Sequence, residues 1–203
     1  ATAQGPLQAA LAIHEGEVEA SSTVTIEGVS RQWVSVSQTF DVDVRYGRLS
    51  SIELLIPDAL REYIQPAASR GAIEFLVSGD PALFHWPDPE QPLVVIDRTM
   101  RPLRGEVAIE ARFKFPWDQG QGERLSLPVL ALPIAETTAT RCSLPDTDLA
   151  PVIVDGQGWR QIPTAPDAQV WEYSGSTLAV PLALPPMSSA PLGPETVGAP
   201  FCS

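Results

Sequence analysis

The sequence predicts an all-β fold: an antiparallel β-sandwich of immunoglobulin-like type, with about seven or eight strands and a smaller C-terminal β extension. Three observations predict it. In the first, Val34, Val36, Phe40, Val42, Val44 and Tyr46 recur at every second position, interrupted only by Gln38, while Ser35, Ser37, Thr39, Asp41, Asp43 and Arg45 fill the other phase. Side chains alternate across a strand, so one face is packed and the other solvated. In the second, comparable runs follow one another closely, and no long segment shows a 3.6-residue period. In the third, prolines close the apolar runs: Pro57 after Leu54-Leu55-Ile56, Pro128 after Leu125-Ser126-Leu127, Pro133 after Leu130-Ala131-Leu132 and Pro185 after Leu182-Ala183-Leu184. A residue without an N–H marks the ends and edges of strands.

In chain order, residues 17–27 form the first strand, with Val18, Ala20, Ser22, Val24 and Ile26 on one face and Gly28 as its end. Residues 31–46 form the long second strand, Gly47-Arg48 turns the chain, and Ile52, Leu54 and Ile56 face inward on the third. A helical turn is expected over Asp58 to Tyr63, capped by Asp58 and stopped by Pro66. Strands are then expected over 72–77, ending at Gly79-Asp80-Pro81, and over 93–96. Val107, Ile109, Ala111, Phe113 and Phe115 alternate with Glu106, Ala108, Glu110, Arg112 and Lys114. A hairpin loop over 117–122 leads into 125–132. Residues 136–150, rich in Thr, Asp and Pro, read as a linker or long connection, and short strands follow at 152–154, 158–162, 170–173 and 178–184. The domain organisation predicted is an N-terminal extended segment (1–14), a β-sandwich (15–135), and a small β extension with a Pro-rich tail (136–203).

The 203 residues are 44% hydrophobic, enough to bury a substantial core. A formal net charge of −12 argues against nucleic acid and against anionic lipid, both of which need clustered Lys and Arg. No apolar run reaches the roughly 18 residues of a membrane span. The chain starts Ala1-Thr2-Ala3-Gln4, as a mature secreted product or a piece of something longer would. Cys142 and Cys202 fit neither a zinc site nor a Cys-x-x-Cys redox pair, and a disulfide between them is expected.

His14 and His85 are the only histidines, and no G-x-S-x-G elbow accompanies them. His85 sits in Leu83-Phe84-His85-Trp86-Pro87-Asp88-Pro89, read as a loop whose aromatics fold beneath it and leave the imidazole at the surface. Asp41 and Asp43 share a strand face, which suits a glycosidase pair or a calcium site. Without an EF-hand or repeated Asp-Gly pattern, a solvated face is the plainer reading. Of the five tryptophans, Trp33 falls on the polar phase of its strand and Trp86 and Trp117 fall on loops. Exposed aromatics suit sugar stacking, and packing in a core or between domains suits them as well.

The block Arg31-Gln32-Trp33-Val34-Ser35-Val36-Ser37-Gln38-Thr39-Phe40, with Leu54-Leu55-Ile56-Pro57, Gly105-Glu106-Val107 and Leu125-Ser126-Leu127-Pro128, resembles repeated β-rich segments of very large exported surface or envelope proteins of planctomycete-type bacteria. The resemblance covers residues 15–135. It implies an exported, multidomain architecture and brings no catalytic residue with it. The resulting expectation is a non-enzymatic structural and interaction module of an extracellular or cell-envelope assembly, without a cofactor. Its expected partners are other protein modules or copies of itself, met by Pro6 to Ile13 and by the tail through strand addition at a sheet edge. Trp33, Asp41, Asp43, Trp86 and Trp117 form the expected interaction surface. The alternatives are a carbohydrate-binding or calcium-dependent adhesion domain, and a hydrolase that uses acidic residues.

Overall fold

The computed structural model describes residues 17–30, 32–64, 72–88, 90–117, 124–145, 152–153, 158–163 and 168–183. Among them run β1 (Glu17–Val29), β2 (Trp33–Leu49), β3 (Ser51–Leu55), α1 (Asp58–Ile64), β4 (Ile73–Val77), β5 (Asp80–Ala82), β6 (Leu93–Asp97) and β7 (Leu103–Pro116). β8 (Arg124–Pro128), β9 (Glu136–Pro145), β10 (Val152–Ile153), β11 (Trp159–Ile162), β12 (Ala168–Ser174) and β13 (Ala179–Ala183) follow. The all-β, sandwich-like expectation holds. One layer is an eight-stranded sheet in the order β11-β12-β9-β1-β2-β7-β4-β5, and the three-stranded β10-β13-β8 and two-stranded β3-β6 sheets face it. Both layers contribute to one core, from Val36, Phe40 and Ile109 of the large sheet to Ile52, Val94, Leu127 and Val180 of the small ones.

The immunoglobulin subtype is not what forms. The layers are unequal, and β1 pairs with β9 in parallel while its other neighbour, β2, is antiparallel. β9 also corrects the reading of 136–150 as a linker. Thr140, Cys142 and Leu144 are buried on alternate positions of this strand, and the β-branched threonines that made the stretch look polar suit a pleated surface. Strands from the C-terminal third thus enter both layers, β9, β12 and β11 in the large sheet and β10 and β13 in the small one.

Several local features depart from the simple alternation. β1 runs past Gly28 to Val29, with a register shift between Ile26 and Gly28 that marks a bulge. Tyr46, expected inside, has φ 55° and is 67% exposed, where β2 slips against β7 between Val44 and Leu49. In α1, Asp58 is not the cap. The Pro57 carbonyl accepts from the Leu60 and Arg61 amides, and Asp58 forms an ion pair with Arg61 at 2.9 Å.

Gln38, the interruption in the opening run, is fully buried. Its Nε2 donates to Ser22 Oγ and to the Leu130 carbonyl, both at 2.9 Å, and its Oε1 accepts from the Leu130 amide at 2.8 Å. One amide side chain therefore joins the large sheet to the 129–132 segment of the opposite layer, satisfying buried backbone groups that have no ladder partner there.

The expected disulfide is absent. Cys142 is a free thiol, fully buried on the inward face of β9 beside Val24 of β1 and Trp171 of β12. Burial pushes its pKa up to about 12. Cys202 lies outside the described residues, as do the N-terminal segment with His14, the 118–123 hairpin tip and the tail.

Candidate functional site

The predicted surface residues do not converge. Trp33 is half-buried and packs on Tyr63 with ring centroids 5.6 Å apart. Trp117 is 7% exposed and belongs to the core, so it offers no surface; the Gln32 carbonyl accepting its amide draws it in at 2.8 Å. Trp86 is half-buried against the core. Asp41 and Asp43 lie farther along β2, about 26 and 33 Å from Trp33 at the usual strand rise. Asp43 is bound to Arg45 at 2.7 Å, and Arg45 also reaches Glu19 at 2.9 Å. The groove beside the two aspartates includes Glu106, yet among the described residues no three His, Cys, Asp or Glu side chains are grouped to hold a metal ion, calcium included.

A different site emerges at one edge of the large sheet. Ser78 and Gly79, with φ 53° and 85°, form a two-residue hairpin of the kind that matches strand twist, and β5 folds back on β4 as the outermost strand. The chain then crosses to the small sheet. Phe84 turns inward and meets Phe75 edge-on at 4.9 Å, and His85 exchanges backbone hydrogen bonds with Val95 of β6 at 3.0 and 2.9 Å. The aromatics do fold beneath this loop, and His85 stays exposed, as the sequence suggested.

β6 ends in a compact turn opposite. Asp97 Oδ1 accepts from the Thr99 amide at 2.7 Å and from its hydroxyl at 2.5 Å. The Arg101 amide donates to the Arg98 carbonyl at 2.9 Å, and the Arg98 amide donates to Ser50 O at 2.8 Å. The Thr99 hydroxyl and amide, with a smaller contribution from His85, hold the Asp97 carboxyl below the usual range. Between turn and loop lies an open cleft of about 500 Å³, its apolar surface supplied by Pro81, Ala82 and Phe84 over the buried Ile96. Leu83 and Met100, each 94% exposed, and Arg98 and Arg101 complete it. Sequence reasoning missed this site because its residues come from two segments that only the β5 hairpin and the His85–Val95 bridge bring together; the Leu-Phe-His-Trp block was its one visible signal.

Neither a family model nor a curated protein matches the chain. Among solved structures it is similar to the M1 zinc metallopeptidase of Deinococcus radiodurans, at 11% identity over 82% of this chain and 42% of that one, TM-score 0.38. It is likewise similar to a mutant of that enzyme bound to a Tyr-Ser-Ala substrate, at 12% identity and TM-score 0.41 over the same shares. A third is native yeast LTA4 hydrolase, at 12% identity over 88% of this chain and 30% of that one, TM-score 0.48. The chain spans less than half the length of each. These neighbours are enzymes by name, and on that finding the expectation of a non-enzymatic architectural module is withdrawn. At this identity and TM-score the likeness brings no residue, substrate or reaction to the chain.

Proposed function

We propose that the chain is a ligand-binding β domain, which holds an extended chain in the cleft beside β5. The reading borrows no residue from the hydrolases named above. It rests on one observation: the cleft combines two almost fully exposed apolar side chains, Leu83 and Met100, with an apolar lining and an open sheet edge. Such a concave, mostly apolar site with a few polar groups is the usual form of a ligand pocket, and an edge strand favours an extended ligand.

Zinc does not fit the described residues. Among the described residues His85 has no second imidazole near it, Cys142 is sealed in the core as a thiol, and no donor group of three is present. No step is therefore routed through a metal.

The test is chemical-shift mapping with a pooled library of capped, extended peptides. The expected result is perturbation at Leu83, Phe84, Ile96 and Met100, with Asp41 and Asp43 unmoved. Shifts confined to the groove of Asp41, Asp43 and Glu106, or none at the cleft, would overturn the reading.

A further inference from the structure

Resting on the cleft as the binding site, we propose that its ligand is an extended peptide carrying an acidic side chain next to an apolar one. Arg98 and Arg101 take the carboxylate, and Leu83 and Met100 take the apolar neighbour.

Charge is the first argument. The chain has a formal net charge of −12, yet two guanidinium groups line this cleft against a single carboxylate, Asp97. That carboxylate is already engaged by Thr99. A concave site of sign opposite to its surroundings concentrates a complementary ligand.

The second argument is what these arginines lack. Arg45, Arg61, Arg112, Arg141 and Arg160 each pair with a carboxylate of their own chain. Among the described residues Arg98 and Arg101 pair with none, as is also true of Arg48, Arg104 and Arg124, and what sets these two apart is that they share one cleft. Arg98 Nε is moreover buried with no hydrogen-bond partner. A donor withdrawn from water and left without an acceptor is costly. A small rotation that offers Nε and a neighbouring Nη to one carboxylate removes that cost with a bidentate, charge-assisted pair.

The third argument concerns the apolar part and the shape. Leu83 follows the edge strand β5 directly, and Met100 faces the same cleft from the turn. A thioether side chain adapts to varied apolar partners. A peptide laid along the edge presents successive side chains to alternate sides, so a carboxylate and an adjacent apolar group separate onto the arginine and Leu83 sides of the cleft.

The experiment compares two capped hexapeptides by calorimetry, one with Glu-Leu at its centre and one with Gln-Leu. The Glu peptide should bind at least tenfold more tightly at low salt, with the difference shrinking as salt rises. Arg98→Gln should abolish the difference between the two peptides. Arg101→Gln, at an exposed position, gives the same test without disturbing a half-buried side chain, and should reduce the difference severalfold. Equal affinities for the two peptides, or a preference that survives both substitutions, would overturn the carboxylate clamp while leaving the cleft as a binding site. Failure of both peptides to bind, with shift mapping also silent, would overturn the proposed function itself.

Discussion

Single residues do more here than their type suggests, and Gln38 is the clearest case. The break in an apolar run looks like a flaw, but the amide side chain supplies both a donor and an acceptor to Leu130 across the layers. Gln38→Leu keeps the volume and strands the Leu130 N–H and C=O in the core, so the cost should be about 3 kcal/mol in chemical denaturation, since each buried unpaired group costs about 1–3 kcal/mol. Gln38→Glu retains the acceptor and loses the donor, and it should be no better tolerated because it also buries charge. Cys142 gives a second prediction, in pH. Its thiol ionises at 9.0 in the reference state and only near about 12 when folded. Between those values the unfolded chain holds fewer protons than the folded one, so stability falls as pH rises through that window and is unaffected by this group below it. Cys142→Ala should flatten that alkaline decline relative to the parent, measured as denaturation midpoints at several pH values. An unchanged slope would show that other groups set it.

At the scale of elements, the turn before β5 positions one wall of the cleft, and its backbone is demanding. Ser78 adopts φ 53° without the freedom of glycine, and Gly79 adopts φ 85°. Because a two-residue turn of this kind prefers Asn-Gly, Ser78→Asn should stabilise by about 0.5 kcal/mol. Gly79→Ala meets nothing within 4 Å, yet the left-handed backbone should cost about 1 kcal/mol. Both are read from denaturation midpoints, and only the second should also weaken ligand binding at the cleft. What was legible in the sequence follows from the same physics. The long alternating strands β2 and β7 were visible because a one-sided core writes a period of two into the residues. β9 was not, because its inward positions are Thr140, Cys142 and Leu144 rather than a clean aliphatic row. A tryptophan beside a Gly-rich loop carries no sign of the chain that will cover it, so Trp117 reads from the sequence as a surface residue. The cleft is invisible in the sequence because Leu83 and Met100 come together only when the segment after β5 crosses to the other layer and pairs with β6 through the His85–Val95 bridge.

For the whole molecule, the parallel β1–β9 pair decides where the chain can be divided. Composition suggests a boundary near residue 135, but β9 lies beside β1 for most of its length, and Val24 of β1 faces the same interior as Cys142 and Leu144. In the other layer β13 pairs with β8 from Ala179 to Ala183, and its Val180 and Leu182 are fully buried. A fragment ending at residue 135 would lose both strands together. It would bare the full hydrogen-bonding edge of β1 and uncover Leu127 and the Gln38 clamp beneath the 129–132 segment. Exposed apolar surface costs about 25 cal/mol per Å², and a long unprotected edge invites pairing with other chains. The 1–135 fragment should therefore lack a cooperative thermal transition and should associate at micromolar concentration, whereas the whole chain should unfold in one step by both far-ultraviolet and near-ultraviolet circular dichroism. A fragment that melts cooperatively as a monomer would show that the first 135 residues hold a core of their own and that β9 to β13 merely dock upon it.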